Sequence, residues 1–320
     1  MTSSALQHAP LRVEVICEGL SFPEGPVWLP DGSVLVVEIR SGNLTRISKA
    51  GEKSTVAYVG GGPNGLAIGP DGAYYICNNG GFEWHDHPDG RQTPGLQAQG
   101  YISGSIQRVD PQTGEVRVLY DKCGPHALRG PNDIVFDAHG AFWFTDLGKR
   151  RDRSMDHGGV YYAWPDGSKI VEVIYPMNTP NGIGLSPGGD RLYVAETSPG
   201  RLWAFDIAGP GSVHQAVTDR PHGGELLAGL PGFQLFDSLA VQDSGHICVA
   251  TLFNGGITVV SPDGQSIEHV PLPDPFTTNI CFGGAELREA FVTLSSTGQL
   301  VRVTWPRPGL RLNADRKACQ

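Results

Sequence analysis

The chain has 320 residues, a formal net charge of −9, 44 glycines and 25 prolines. The acidic balance argues against binding to nucleic acid or to an anionic membrane surface. One basic triplet, Lys149-Arg150-Arg151, is expected in a solvated loop, from which one arginine could reach a substrate anion. No apolar run is long enough to span a membrane and no secretory signal is visible, so the expected location is cytoplasmic.

A short phrase recurs six times along the chain: a polar residue, an apolar run, a tight turn and a second apolar run. The copies are FPEGPVWLPDGSVLVVE (22–38), PNGLAIGPDGAYYICN (63–78), PNDIVFDAHGAFWFTD (131–146), PNGIGLSPGGDRLYVAE (180–196), FDSLAVQDSGHICVAT (236–251) and TTNICFGGAELREAFVT (277–293). Each predicts a β-hairpin, because Val, Ile, Phe and Tyr suit strands and Asp-Gly-type pairs supply the positive φ of a tight turn.

The spacing of the copies predicts an all-β fold, a six-bladed β-propeller. Their leading polar residues follow one another at intervals of 40, 68, 49, 56 and 41 positions, and hairpin repeats of roughly 40–50 residues are typical of propeller blades. We expect one propeller domain over residues 11–308, a flexible N-terminus over 1–10 and a C-terminal tail over 309–320. The strand-like segments 12–17 and 300–305 are candidates to close the ring within one blade.

The leading polar position of each copy predicts a functional site. Equivalent positions of all blades lie at one depth around the axis of a propeller, so six side chains converge there. All six carry oxygen: Glu24, Asn64, Asn132, Asn181, Asp237 and Thr278. A turn-forming role would explain any single Asn or Asp but does not explain six copies in register. Thr278 is equally consistent with a structural role.

These oxygen donors predict one divalent metal ion on the axis. Glu24 and Asp237 would balance its charge, and Asn181 and Asn132 would add neutral oxygens, with Asn64 as a weaker candidate. Ca²⁺ is preferred, with Zn²⁺, Mn²⁺, Mg²⁺ and Fe²⁺ as alternatives. The ring lacks His and Cys, which argues against structural zinc. The six cysteines contain no C-x-x-C pair and are expected to be free thiols.

The elements FPEGPVW, PNDIVFD, PNGIGLS and FDSLAV resemble those of the regucalcin/gluconolactonase family, also called the senescence-marker-protein and luciferin-regenerating-enzyme family. The resemblance covers all six copies, essentially residues 11–305. It implies a six-bladed propeller with one axial divalent metal that hydrolyses sugar lactones. It also implies that Glu24, Asn181 and Asp237 bind the metal, that Asn132 faces substrate or metal, and that Asp237 is the candidate general base.

Two departures from that family concern the substrate. Several family lactonases carry an arginine that holds sugar hydroxyls two positions before Asn132; here that position is Gly130, so either Arg129 compensates or the substrate is held differently. The insertion over residues 78–104 is expected to form a lid or wall over one face; whether its side chains contact substrate or only pack a long loop is left open. The candidate substrate contacts are Asn64, Arg129, Asn132, Glu83 and His85, with Trp84 and His87 beside them.

The expected reaction is the hydrolysis of a lactone. The metal would polarise the lactone carbonyl and stabilise the oxyanion, while Asp237 or a water on the metal would drive hydrolysis. No G-x-S-x-G nucleophile motif is present. The alternatives are a calcium-dependent phosphotriesterase or arylesterase, a metal-binding regulator without turnover and a non-catalytic propeller that binds proteins. The expected partner is a small-molecule lactone, with no nucleic acid and no membrane, for a monomer or dimer.

Overall fold

The computed structural model of the chain describes residues 12–214 and 222–313. The expected N-terminus over 1–10 and the last residues of the expected tail lie outside them. The strands form six antiparallel sheets that are the blades of a propeller, which confirms the fold that the repeat predicted. Within these residues, no helix has the length and the apolar character needed to cross a membrane.

In chain order the strands are β1 (Val13–Cys17), β2 (Pro23–Trp28), β3 (Val34–Glu38), β4 (Asn43–Ile47), β5 (Lys53–Tyr58), β6 (Pro63–Ile68), β7 (Tyr74–Asn78), β8 (Phe82–Asp86), β9 (Gln92–Gln97), β10 (Ser105–Val109), β11 (Val116–Tyr120), β12 (Lys122–Cys123), β13 (His126–Ala127), β14 (Pro131–Phe136), β15 (Phe142–Asp146), β16 (Gly158–Ala163), β17 (Ile170–Met177), β18 (Pro180–Leu185), β19 (Arg191–Glu196), β20 (Arg201–Gly209), β21 (Ser212–Val213), β22 (Glu225–Gly229), β23 (Leu235–Val241), β24 (Ile247–Leu252), β25 (Gly256–Val260), β26 (Ile267–Pro271), β27 (Thr277–Gly283), β28 (Glu289–Leu294) and β29 (Gln299–Thr304).

The blades follow one another along the chain, and the sixth blade is completed by a strand from the beginning of the chain. Blade one is β2–β5, blade two β6, β7, β10 and β11, blade three β14–β17, blade four β18–β22 and blade five β23–β26. Blade six is β27–β29 with β1 as its outermost strand, where Val13 lies opposite Val303. The inner strands β2, β6, β14, β18, β23 and β27 contact one another in order, and β27 contacts β2. The ring is therefore closed by the two segments whose sequence suggested it.

The hydrophobic core lies between neighbouring blades. Tyr75 of blade two packs edge-to-face on Phe136 of blade three, with ring centroids 5.0 Å apart. Trp143 and Tyr162 fill the next boundary, toward blade four. Because the middle strands bury both faces, they appear in the sequence as continuous apolar runs. Cys319 lies outside the described residues. The other five cysteines are free thiols, as expected: Cys17, Cys77, Cys123, Cys248 and Cys281.

Every inner strand has a β-bulge at its leading polar residue. In β2 the register shifts between Glu24 and Val27, and corresponding shifts occur in the five other inner strands. A bulge breaks the alternation of side chains along a strand and is frequent next to functional sites because it re-aims a side chain. The residue after the leading one, for example Asp133, is consequently also buried at the inner end of its blade.

Glycine follows the leading residue where neighbouring blades approach closely. A Cβ on Gly25 would lie 2.7 Å from the carbonyl oxygen of Asn64 in the next blade, and one on Gly65 would lie 2.3 Å from that of Asn132. Both distances are too short for any side chain. Gly25 and Gly65 therefore let the inner strands of blades one and two pack directly against the leading residue of the next blade.

The polar residue that ends the second strand of a blade holds the segment that enters the first strand. In blade one, Oε2 of Glu38 accepts a hydrogen bond from the backbone N–H of Ser21 (2.7 Å). In blade three, Asp146 accepts one from the N–H of Gly130 (2.6 Å). Blades two and four repeat the contact. These bonds fix the backbone just before each leading residue.

The insertion of blade two forms the hairpin β8–β9, which we call the cover hairpin (residues 82–97). It reaches across the face on which the inner strands begin. The N–H of Gln92 donates to the carbonyl oxygen of Ser296 in blade six, and the N–H of Gln97 donates to that of Arg150 in blade three, both at 2.9 Å. The expected lid is therefore present as a hairpin laid over this face.

Beyond the leading residues, the axis continues toward the opposite face as a cavity of about 310 Å³. Asp133 lies at its inner end, and apolar residues of the inner strands, such as Leu66 and Ile134, line its wall. Residues of the expected C-terminal tail pack at its far end: the N–H of Leu310 donates to the carbonyl oxygen of Val241 (2.8 Å). The tail thus contacts the propeller as far as it is described.

Candidate functional site

The axial ring is the set of leading residues Glu24, Asn64, Asn132, Asn181, Asp237 and Thr278. All six are buried, with at most 9% of any residue exposed. Burial and then the charge of Glu24 raise the pKa of Asp237, so these two carboxyl groups from blades one and five interact. The structure therefore brings together at the axis the two acidic residues that the sequence selected.

Glu24 is held by hydrogen bonds within the ring. Its Oε2 accepts from the N–H of Gly25 (3.0 Å) and from Nδ2 of Asn279 in blade six (2.8 Å). Burial raises the pKa of Glu24 to about 7, and these hydrogen bonds offset only part of the shift because they favour the charged form. The carboxylate is thus oriented but left without a full counter-charge.

Asp133 is a third carboxyl group at the axis, which the sequence analysis missed. Burial and then the charge of Glu24 raise the pKa of Asp133 well above its ordinary value. Burial and then the charge of Glu24 also raise the pKa of Asp237, while a hydrogen bond with Asn181 lowers that pKa. The third copy reads P-N-D where the second and fourth read P-N-G, and this exchange of Gly for Asp was the available signal.

The asparagines of blades three and four add amide oxygens. Oδ1 of Asn132 is buried and has no hydrogen-bond partner among the described residues. Nδ2 of Asn181 donates to Oγ1 of Thr197 (3.0 Å), and its Oδ1 is 3.5 Å from Oγ of Ser238. A buried oxygen without a hydrogen-bond partner lowers the stability of the fold by about 1–3 kcal/mol, so Oδ1 of Asn132 calls for an explanation.

A divalent cation fits this donor set. No cation stands among the main causes that shift the pKa values of the three carboxyl groups, and after burial the charge of Glu24 raises the pKa of both Asp133 and Asp237. Carboxylate and amide oxygens are the ligands that Ca²⁺ prefers. In the same part of the chain, no group of three or more His, Cys, Asp or Glu residues could hold an ion by itself. The oxygens of Asn132 and Asn181 would therefore have to complete the set.

Two members of the axial ring have other contacts. Oγ1 of Thr278 shares hydrogen bonds with Oγ1 of Thr293 (2.9 Å) and Oγ of Ser295 (2.5 Å), so its hydroxyl stabilises blade six. Asn64 is buried, and its carbonyl oxygen packs against Gly25. Burial raises the pKa of Glu24, and a hydrogen bond with Thr278 is among the interactions that lower it. A role of Thr278 in the axial site and a structural role therefore both stay predictions.

On the cover hairpin, Trp84 is the candidate that faces the propeller. Its ring lies 5.2 Å from that of Phe22 and 5.6 Å from the guanidinium of Arg40, both in blade one. Since side chains alternate along a strand, Glu83 and His85 lie on the other side of β8, and His85 is exposed. Substrate contact by Glu83 and His85 stays a prediction.

Arg129 and Gly130 lie where the chain enters blade three. Arg129 is exposed; its N–H donates to Oδ2 of Asp146 (2.7 Å) and its carbonyl oxygen accepts from the hydroxyl of Tyr101 (2.8 Å). These contacts fix the backbone, and the guanidinium of Arg129 interacts with Tyr101 and Asp156. A Cβ on Gly130 would lie 2.5 Å from the carbonyl oxygen of Gly148, so this backbone cannot carry an arginine there.

Lys149 is buried, so the prediction that it lies in a solvated loop is wrong. Only 1% of the residue is exposed. Its Nζ donates to Oδ1 of Asn79 (3.1 Å) and the carbonyl oxygen of Gly81 (2.8 Å), and lies 4.0 Å from the ring centroid of Phe82. Burial lowers the pKa of Lys149 to about 7. The lysine therefore ties blade three to the root of the cover hairpin.

The fold and the axial ring define a six-bladed propeller with an oxygen-rich centre on its axis. A family model described as the SMP-30/Gluconolactonase/LRE-like region matches residues 22–296, and the chain belongs to this family. It is 26% identical over 300 residues to a gluconolactonase of Zymomonas mobilis, an alignment that covers 85% of this chain and 76% of the relative.

Solved structures share the fold. A gluconolactonase from Xanthomonas campestris superposes with a TM-score of 0.72 at 22% identity, covering 92% of this chain and 90% of the other. A calcium-binding protein, regucalcin, from Agrobacterium tumefaciens superposes with a TM-score of 0.69 at 21% identity, covering 95% and 98%.

Proposed function

We propose that this protein is a metal-dependent hydrolase that opens the ring of a lactone. The observation that carries the proposal is the convergence of Glu24, Asp133 and Asp237 with the unpartnered oxygen of Asn132 on the axis. Membership of the family and the similarity to a gluconolactonase support the reaction class. The substrate is a small molecule that enters beneath the cover hairpin.

Glu24, Asn132, Asn181 and Asp237 are the residues that would hold the metal. Their oxygen atoms suit Ca²⁺, and the likeness in fold to a calcium-binding protein supports that choice. When bound, the cation supplies positive charge that polarises the lactone carbonyl. Asp133 adds negative charge from the cavity side and balances that cation further.

Asp237 is the proposed general base. Its carboxyl group is buried beside Asn181, whose hydrogen bond orients it, and it would take the proton from the attacking water. Asn132 orients the lactone through its amide. The remaining candidates, Asn64, Arg129, Glu83 and His85, would contact parts of the substrate outside the ring that reacts.

The test compares Asp237→Asn and Glu24→Gln with the control Asp243→Asn, an exposed carboxylate. We expect kcat/KM for lactones to fall about 10²–10⁴-fold in the first two variants and to stay unchanged in the control. Chelation should abolish wild-type activity, and added Ca²⁺ should restore it. Undiminished, metal-independent hydrolysis by a folded Asp237→Asn protein would overturn the proposal. Faster turnover of a fluorophosphate than of any lactone would point instead to a phosphotriesterase.

A further inference from the structure

A second ring lies one layer closer to the cover hairpin than the axial ring. It consists of the residues two positions before each leading residue: Phe22, Gly62, Gly130, Thr179, Leu235 and Phe276. These residues directly precede the inner strands or, in blade five, begin one. Trp84 of the cover hairpin packs on one of them, Phe22, so the second ring lies on the covered side of the axial ring. Any part of a substrate that extends from the axial ring toward solvent passes it.

Blades two and three present only backbone in the second ring. A Cβ on Gly62 would lie 2.4 Å from Oδ1 of Asn79, and one on Gly130 would lie 2.5 Å from the carbonyl oxygen of Gly148. The second ring thus contains no charged side chain, and two of its six positions cannot accept one with this backbone.

Blades five, six and one present apolar side chains instead. We call the set Phe22, Trp84, Phe233, Leu235, Phe253 and Phe276 the apolar sector. The ring of Phe22 lies 5.2 Å from that of Trp84 and 6.4 Å from that of Phe276. Phe253 continues the contact, 5.5 Å from Phe276 and 4.8 Å from Phe233. The aromatic rings therefore form one continuous cluster, from the buried Phe22 in blade one to Phe233 in the loop before blade five.

The outer end of this surface is open to solvent. Phe233 is 76% exposed and Phe253 is 44% exposed, whereas Phe276 and Leu235 are half-buried. Phe253 has a φ of +67° and Phe22 one of +57°, a left-handed conformation that is strained for an aromatic residue. Such strain persists where the surrounding structure holds it and is concentrated at ligand sites. Exposed aromatic side chains continuous with a candidate site indicate a binding surface.

We infer that the substrate is a lactone with an apolar alkyl or aryl substituent, which packs on the apolar sector while the lactone carbonyl lies at the axial ring. The inference rests on the proposed function and names its substrate class. In the second ring, a polyhydroxylated lactone would meet apolar side chains in blades five, six and one and bare backbone in blades two and three.

The opposing interpretation is a sugar lactone as substrate, and the polar groups that would favour it belong to the cover hairpin. Oε1 of Gln92 and Oε1 of Gln97 are buried without a hydrogen-bond partner among the described residues. They could accept hydrogen bonds from sugar hydroxyls. Glucono-δ-lactone is therefore the substrate that competes with the inference, and Gln97→Leu is the variant that tests for it.

The experiment compares three δ-lactones with the Ca²⁺-loaded protein: glucono-δ-lactone, unsubstituted δ-valerolactone and a δ-lactone with a pentyl substituent. We expect kcat/KM for the pentyl compound to exceed that for each of the others by at least about 10-fold, equivalent to about 1.4 kcal/mol. Phe253→Asn, which tolerates positive φ, and Phe233→Ala should remove most of this preference. Leu226→Ala, 42% exposed on the outer strand of blade four, is the matched control and should retain it.

The outcomes separate the two proposals. If no lactone is hydrolysed, the proposed function fails and the inference fails with it. If lactones are hydrolysed but glucono-δ-lactone is preferred, and Gln97→Leu removes that preference, the inference alone fails. If Phe253→Asn lowers kcat/KM equally for all three lactones, the inference is also overturned, because the phenylalanine would then not act on the substituent.

A binding measurement gives a readout that does not depend on turnover. The lactam analogue of the pentyl lactone resists hydrolysis, and its Kd can be measured by calorimetry. We expect the Kd to rise about 10-fold in Phe253→Asn and to stay unchanged in Leu226→Ala. An unchanged Kd in Phe253→Asn would contradict contact between the substituent and the apolar sector.

Discussion

Asn279 of blade six donates a hydrogen bond from Nδ2 to Oε2 of Glu24 in blade one, at 2.8 Å. The bond joins the last blade to the first and orients a proposed metal ligand. Groups that orient a ligand typically contribute 10–100-fold to metal affinity. We expect Asn279→Ala to raise the Kd for Ca²⁺ by about that factor, measured by calorimetry. The exposed Asn254→Ala is the control; a Kd within twofold of wild type in folded Asn279→Ala would contradict the role.

Asp133→Asn tests the repulsion among the three carboxyl groups at the axis. The substitution replaces an ionisable carboxyl group beside Glu24 and Asp237 with a neutral amide of the same shape. In the metal-free protein we expect Tm to rise, by about 2–4 °C for each kcal/mol of repulsion relieved, and the affinity for Ca²⁺ to fall. Thermal unfolding with and without Ca²⁺ measures both. A lower Tm without metal would show that Asp133 is stabilising on its own, and Asp243→Asn controls for a simple change of net charge.

Gly25→Ala tests the close approach of blades one and two. Gly25 has a φ of +51°, and its new Cβ would meet the carbonyl oxygen of Asn64 at 2.7 Å. Gly72 is the matched control, since its φ is +76° and no atom lies within 4 Å of its Cβ position. We expect Gly72→Ala to lower the free energy of unfolding by about 1 kcal/mol because of backbone strain. Gly25→Ala should lower it by about 1–3 kcal/mol more because of the overlap. Denaturant unfolding measures the difference, and equal costs would contradict direct packing of the blades.

Lys149→Met tests the burial of an amine. The pKa of Lys149 is lowered from 10.5 to about 7 by burial. Between those pH values the unfolded chain binds a proton that the folded protein lacks, so the free energy of unfolding rises with pH. Below about pH 7 both states are protonated, and the destabilisation is constant and largest. We expect this rise, at most about 1.4 kcal/mol per pH unit, to be absent from the variant.

The measurement is the free energy of unfolding of wild type and Lys149→Met from pH 6.5 to 9.5. The exposed Lys122→Met is the control, and its pH dependence should match that of wild type. An identical slope in wild type and Lys149→Met would show that Lys149 is not desolvated.

The blades could be predicted from the sequence because their determinants are local. Apolar runs, Asp-Gly turns and a regular spacing specify hairpins and their stacking, and equivalent positions then share one depth. That reasoning selected Glu24 and Asp237, which the structure buries at the inner ends of blades one and five. Asp133 was missed because simple alternation places it on the opposite side of the strand from Asn132. The bulge that re-aims it is a property of the pairing between strands and has no local signature.

The covered face could not be predicted because it depends on contacts between distant segments. Lys149 is buried by groups about 70 positions earlier in the chain, including Asn79. The insertion was expected to cover a face, but which side of its hairpin turns inward is decided by Phe22 and Arg40 against Trp84. Periodicity within a two-stranded hairpin is the same for both orientations, so Glu83 and His85 were as plausible as Trp84.

The pairing of Val13 with Val303 has a consequence for synthesis of the protein. A ribosome delivers β1 first, yet β1 has no partner strand until residues as far as Thr304 have emerged. Blades one to five can form as they appear, whereas the sixth waits, and with it the bond from Asn279 to Glu24. Nascent chains shorter than this would carry an exposed first strand and would lack the bond that orients Glu24, so the proposed cation site is completed only when the sixth blade forms.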